Sequence, residues 1–123
     1  MDETIDLTKL IKAQQIFEKF RQGMEDDRDK AGAIQAFEFC YELSWKMMKR
    51  LLEVRGKIGN SPREVFRMAG LEGFIKDPEI WFNFLQKRNI TVHTYEEKEA
   101  QEVISVFSDF SNEITNFLNN IGA

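Results

Sequence analysis

The sequence is poor in several residue types, and each shortage excludes a class of protein. Its one cysteine, Cys40, cannot form an internal disulfide, so a reducing, cytoplasmic compartment is expected. Two prolines in 123 residues favour packed helices over extended loops. No apolar run approaches the roughly 18 residues that a membrane helix needs, and the acidic segment 1–6 is unlike a signal peptide.

Motifs for several kinds of chemistry are also missing. The chain has no Gly-rich phosphate loop, no zinc-ligand spacing and no nucleophile elbow. Glu38 and Glu42 could form a metal-binding pair, but a solvated helix face is the simpler interpretation because no histidine lies nearby. The sequence therefore predicts neither a metal nor a cofactor.

The charge is acidic overall but unevenly placed. The net charge of −4 argues against a broad nucleic-acid-binding face. Residues 34–95, however, carry ten Lys and Arg against seven Asp and Glu, whereas the two flanking segments carry seven against fourteen. A site for a polyanion is therefore expected to be local and central.

Apolar periodicity predicts helices along the whole chain. The spacing indicates a first helix over 8–23 and a long central helix over 30–55, with Asp27 or Asp29 as its N-cap and Gly56 as its closing residue. Ser61-Pro62 and Asp77-Pro78 are typical of helix starts, and predict a short helix ending near Gly70 and a fourth helix entering residues 88–95.

The last predicted helix, over 96–120, has the most regular pattern. Seven apolar residues recur at alternating steps of three and four: Ala100, Val103, Phe107, Phe110, Ile114, Phe117 and Ile121. Such a seam favours near-parallel packing in a bundle. The whole chain, 1–123, is thus predicted to be a single all-α domain, with four principal helices and one additional short one.

The segment 88–95 contains the only histidine, His93, together with Arg88, Asn89 and Tyr95. Imidazole exchanges protons near neutral pH, so His93 is a candidate general base. Arg88 offers the fixed donors that suit a phosphate. On a regular helix these two side chains would point about 140° apart. They converge only if the helix distorts there, as β-branched Thr91 and Val92 suggest, or if a second copy of the chain completes the site.

Four parts of the sequence together resemble the HEPN superfamily: FEFCYELSWK at 37–46, SPREV at 61–65, Trp81, and RNITVHTY at 88–95. Within it, the chain is most similar to the HepT-like nucleotidyltransferase substrate-binding proteins, over essentially its whole length. The resemblance implies an antiparallel up-down four-helix bundle that forms a homodimer. It also implies a partner, a separate minimal nucleotidyltransferase.

The same resemblance implies a toxin–antitoxin module in which the HEPN protein is a metal-independent endoribonuclease acting on RNA. By position, Arg88 and His93 would be catalytic, Asn89 would assist or orient, and Tyr95 would be the tyrosine that the nucleotidyltransferase adenylylates to silence the enzyme. The alternative is a non-catalytic subunit that binds a substrate for the nucleotidyltransferase. From composition alone, a lone histidine near a helix end is more often structural.

Overall fold

The computed structural model describes residues 6–122, and within that range the chain is entirely helical, with no strand. Its elements are α1 (Thr8–Gln22), α2 (Asp27–Val54), α3 (Pro62–Leu71), α4 (Pro78–Asn89), a 3-10 helix (Ile90–His93), α5 (Glu97–Ile104) and α6 (Phe107–Asn120). The all-α prediction is confirmed, whereas the up-down bundle order and the homodimer stay predictions. No helix in the described range is long and apolar enough to cross a membrane.

The long helix α2 is the centre of the fold. At 28 residues it spans about 42 Å, and it packs against α1, α3, α4 and α5. Its buried face includes Phe37, Cys40, Tyr41 and Met48. Glu38 and Glu42 lie beside this face and are half-buried, which places two carboxylates where α2 meets the end of α4.

The ends of the helices are set by local chemistry. The N-cap of α2 is Asp26, and not Asp27 or Asp29 as predicted. The Asp26 carboxylate accepts a hydrogen bond from the Asp29 amide at 2.8 Å. Gly56 closes α2 at a φ of 76°, and the amides of Gly56 and Lys57 bond to the Glu53 and Leu52 carbonyls, as predicted for a glycine at this position. After α3, the glycine with a positive φ is Gly73. This helix therefore continues to Leu71, past the end that was predicted near Gly70.

Aromatic side chains fill the core. Phe110 of α6 lies at its centre, with ring centroids 4.8 Å from Phe37, 5.2 Å from Phe84 and 5.4 Å from Phe17. These pairs are steeply tilted or edge-on, the arrangement that aromatic quadrupoles favour. The aromatic core therefore ties α1, α2, α4 and α6 together.

The predicted continuous helix over 96–120 is wrong in one respect, because α5 and α6 are separate. The Ser105 amide still bonds to the Gln101 carbonyl, but the Val106 amide bonds to the Val103 carbonyl, three residues back, and the α-helical bonding is interrupted there. The Ser105 hydroxyl donates to the Glu102 carbonyl at 2.6 Å, a local bond that competes with regular helix. The apolar seam is nevertheless buried on both sides of the break, from Ala100 to Phe117.

Candidate functional site

The segment 88–95 begins at the point where α4 stops being an α-helix. Beyond Asn89 the chain tightens into the 3-10 helix, and the Thr94 amide and hydroxyl both bond to the Thr91 carbonyl. The β-branched residues Ile90, Thr91 and Val92 occupy this turn, in keeping with their reduced preference for α-helix. The distortion that the sequence suggested is therefore present.

Arg88 is held against α2 by charge and by hydrogen bonds. Its Nη1 atom donates to the Thr91 hydroxyl at 3.2 Å and lies 3.4 Å from Glu38 Oε2. The Thr91 hydroxyl in turn lies 2.8 Å from that Glu38 oxygen and 2.7 Å from the Arg88 carbonyl, either of which can accept its hydrogen. The Thr91 hydroxyl thus connects the guanidinium group and the backbone carbonyl of Arg88 to Glu38 on α2.

A second carboxylate reaches Arg88 from the next turn of α2. Glu42 Oε1 lies 3.5 Å from Arg88 Nε, which is close enough for charge attraction but makes no hydrogen bond to this buried atom. The other Glu42 oxygen accepts from Trp45 Nε1 at 3.1 Å, which orients the carboxylate. The two N–H groups on Arg88 Nη2 make no hydrogen bond within residues 6–122. They are the donors left for a ligand.

His93 and Tyr95 lie at the surface. Their rings meet edge-on, with centroids 6.3 Å apart and an interplanar angle of 69°, and Tyr95 is 79% exposed. Asn89 is exposed at the last position of α4. Tyr95 also lines a cavity of about 250 Å³ together with Lys30, which pairs with Glu97 at 3.6 Å. The Tyr95 hydroxyl is therefore open to a large modifying reagent.

The structure brings His93 and Tyr95 together but does not join Arg88 to His93. Within residues 6–122, the polar contacts of Arg88 run to Thr91, Glu38 and Glu42, and none runs to His93. The distorted turn alone therefore does not assemble the pair. A second copy of the chain could still bring an Arg88 and a His93 together, and this stays a prediction.

Glu38 and Glu42 are the site residues that the sequence interpretation missed. The spacing of four residues placed them on one face of α2, and that face was interpreted as solvated. Their actual partner, Arg88, is distant in sequence, so periodicity along α2 carries no information about it. A usable signal was the pairing of two carboxylates, one turn apart on the central helix, with an arginine in the candidate motif.

Tyr41 lies beneath this network with a buried, unpaired hydroxyl. Its side chain is 1% exposed, and its hydroxyl has no hydrogen-bond partner in the described part of the chain. Burial raises the pKa of Tyr41, the Glu42 carboxylate adds to that effect, and Arg88 and Arg63 oppose it. The phenol therefore stays neutral and remains a donor.

Comparison with known proteins identifies the family of this chain. Residues 6–123 match the family described as nucleotidyltransferase substrate binding protein like. A protein from Haemophilus influenzae named probable ribonuclease HepT is 42% identical over 86 residues, which cover 65% of this chain and 58% of that relative. The matched part is thus less than two thirds of the relative's length.

Two solved structures have the same fold. A protein from Thermus thermophilus superposes with a TM-score of 0.84 at 28% identity, covering 93% of this chain and 99% of that one. A second, from Haemophilus influenzae, is described as the fold of a substrate binding domain of a nucleotidyltransferase. It superposes with a TM-score of 0.82 at 30% identity, covering 96% and 100%. The chain therefore belongs to the nucleotidyltransferase substrate binding protein-like, or HepT-like, family.

Proposed function

We propose that this protein is a HEPN-type endoribonuclease that works as a homodimer without a metal ion. We further propose that it is the toxin of a two-component module, silenced when a separate minimal nucleotidyltransferase adenylylates Tyr95. The observation that carries the proposal is the braced Arg88, whose Nη2 donors are unused, immediately before the turn that exposes His93 and Tyr95.

In the proposed reaction, His93 takes the proton from a ribose 2′-hydroxyl, which RNA has and DNA lacks. The 2′-oxygen attacks the adjacent phosphorus and the bond to the 5′-oxygen breaks. The leaving oxygen takes up a proton from water or from the second copy of His93. The products are a 2′,3′-cyclic phosphate and a 5′-hydroxyl, so atoms and charge balance without a co-reactant.

Arg88 would stabilise the extra negative charge on the phosphorus centre in the transition state. Its attachment to Thr91, Glu38 and Glu42 supports this role, because a preorganised donor need not be reoriented during the reaction. Asn89, exposed one residue later, would assist or orient the substrate. The relative named probable ribonuclease supports the same chemistry for the part of the chain that it matches.

Silencing would act on the same surface. The Tyr95 hydroxyl would attack the α-phosphorus of ATP on the partner nucleotidyltransferase, and pyrophosphate would leave. The adduct adds a bulky anion beside His93, where it would repel and block an RNA backbone. The exposure of Tyr95 supports this step, because the acceptor must enter the active site of another protein.

The test is RNA cleavage by the purified chain in EDTA, with His93→Ala beside Val92→Ala. Both residues are exposed on the same 3-10 helix, so both variants should keep the helical circular dichroism of the parent. Wild type and Val92→Ala should produce fragments ending in 2′,3′-cyclic phosphate, and His93→Ala should produce none. Cleavage by His93→Ala at the wild-type rate would contradict the mechanism.

A second candidate is a non-catalytic subunit that binds a substrate for the nucleotidyltransferase. It is favoured by the pairing of Arg88 with two carboxylates, which offsets the positive charge that RNA would meet. The fold shared with the described substrate binding domain supports it too. Intact RNA from chains free of AMP on Tyr95, together with complex formation and altered nucleotide transfer by the partner, would favour this candidate.

A further inference from the structure

Two arginines outside the motif are stacked on one aromatic ring. The guanidinium carbons of Arg63 and Arg67 lie 5.1 Å and 5.4 Å from the centroid of the Phe82 ring. The arginines are one turn apart on α3, and Phe82 belongs to α4, the helix that ends beside Arg88. Stacking of this kind holds the guanidinium plane in place and leaves its N–H edge free.

Neither stacked arginine is neutralised by an acid. Both are exposed, and within residues 6–122 neither forms an ion pair or a hydrogen bond. Most other arginines differ in this respect, since Arg21, Arg55 and Arg88 each pair with a glutamate. An unpaired guanidinium on a stack keeps all its donors for a ligand, and the ligand that best matches its planar fork is a phosphate or a carboxylate.

Ring contacts connect this pair to the candidate site. The Phe66 ring on α3 lies 6.3 Å from Phe82 and 6.2 Å from Tyr41, centroid to centroid. Arg63 and Arg88 both lower the pKa of the buried Tyr41 hydroxyl by charge, so both guanidinium groups lie near that hydroxyl. Arg63 and Arg67 therefore lie against the second turn of α4, six residues before Arg88, which is about 9 Å along the helix axis.

We propose that Arg63 and Arg67 bind phosphates of the RNA strand that flank the scissile phosphate at Arg88. This inference rests on the proposed function, because it treats Arg88 as the position of the reacting phosphate. Successive phosphates of a single strand need successive cations, and one arginine offset by two glutamates is a weak anchor for a polyanion. The stacked pair would supply the missing attraction, and it accounts for a basic central segment in an acidic protein.

The test measures RNA binding in the His93→Ala background, which separates binding from cleavage. Arg63→Gln/Arg67→Gln should weaken the Kd for a labelled single-stranded RNA by about ten-fold or more. It should also make the decline of log K with log salt shallower. The slope should become less negative by about 1.4, the value for two lost contacts to a single strand. Lys9→Gln/Lys12→Gln removes the same charge from the exposed face of α1 and is the matched control.

A second pair of variants separates the stacked guanidinium from charge alone. Arg63→Lys/Arg67→Lys keeps both charges, so it should keep most of the salt slope while losing part of the affinity, because an ammonium offers no planar fork. Circular dichroism should be unchanged in all variants, since the replaced side chains are exposed.

Each outcome bears on the inference separately from the cleavage mechanism. An equal loss of binding in the glutamine and control variants, or no loss in either, would overturn the inference, as would absence of RNA binding by the parent. If the arginine variants bind normally while wild type cleaves RNA, the inference fails and the proposed function stands. If the arginine variants lose binding while wild type leaves RNA intact, the binding of RNA by Arg63 and Arg67 stands, and the proposed cleavage of RNA does not.

Discussion

Arg88 belongs to the candidate nuclease motif, and two glutamates of the same chain offset its positive charge. Glu38 and Glu42 lie on one face of α2, and Thr91 links Glu38 to the Arg88 backbone. Half-buried ion pairs with added hydrogen bonds orient a side chain more than they stabilise a protein. At the scale of the residue, Arg88 is therefore a donor whose position is fixed by Thr91, Glu38 and Glu42.

The two tyrosines of the chain offer a matched test of the modification site. Tyr95 is 79% exposed and Tyr41 is 1% exposed, so only Tyr95 can enter another protein's active site. After incubation with the partner nucleotidyltransferase and ATP, mass spectrometry should find an AMP adduct on wild type and on Tyr41→Phe, and none on Tyr95→Phe. Tyr95→Phe should also keep RNA cleavage in the presence of the partner.

An adduct that persists in Tyr95→Phe would place the acceptor elsewhere and would contradict the proposed silencing. Helical circular dichroism serves as the control for Tyr41→Phe, because that ring packs against Phe37 and Phe66 in the core.

At the scale of the element, helix starts and stops were the most predictable features. Ser61 accepts from the Glu64 amide, and the Glu64 side chain reaches back to the Asn60 amide, which is the reciprocal capping that the sequence indicates. Such signals are predictable because both partners lie within four residues of each other. The break between α5 and α6 was missed because the apolar seam continues through it, and the changed bonds of the Val106 amide and the Ser105 hydroxyl leave the seam intact.

Gly56 offers a test of helix termination with an internal control. Its φ of 76° lies in the region that disfavours side chains, so Gly56→Ala should lower the free energy of unfolding by about 1 kcal/mol. Gly23, at the end of α1, has a φ of −108°, and an added Cβ would meet only the Lys19 carbonyl oxygen at 3.7 Å. Gly23→Ala should therefore be neutral or slightly stabilising.

Urea denaturation of both variants, followed by circular dichroism, measures the difference. Equal free energies of unfolding for Gly56→Ala and Gly23→Ala would show that backbone conformation at the end of α2 does not limit stability.

At the scale of the whole molecule, the proposed reaction calls for a second copy of the chain. One histidine serves each protomer, and the polar contacts of Arg88 lead away from it. We therefore expect a homodimer of about twice 14.5 kDa by light scattering, with residues of both copies in each functional cleft.

Mixing experiments test this shared site directly. His93→Ala and Arg88→Ala chains should each be inactive alone. After subunit exchange their mixture should cleave RNA, because one cleft of each mixed dimer joins the Arg88 of one copy to the His93 of the other. A mixture that leaves RNA intact, or an active species of 14.5 kDa, would contradict the shared site.

The sequence by itself determined the all-α class, the capping of α3 and α4, the apolar seam of the last two helices and the family, since each depends on residues close together in the chain or on a short motif. Only the tertiary structure decided that Glu38 and Glu42 brace Arg88, that Arg63 and Arg67 share the Phe82 ring, and that the motif turn leaves His93 and Tyr95 exposed. The contacts of Arg88 and of the Phe82 ring join residues on different helices. Periodicity states which face of a helix is buried, but it does not state which side chain of another helix will meet it.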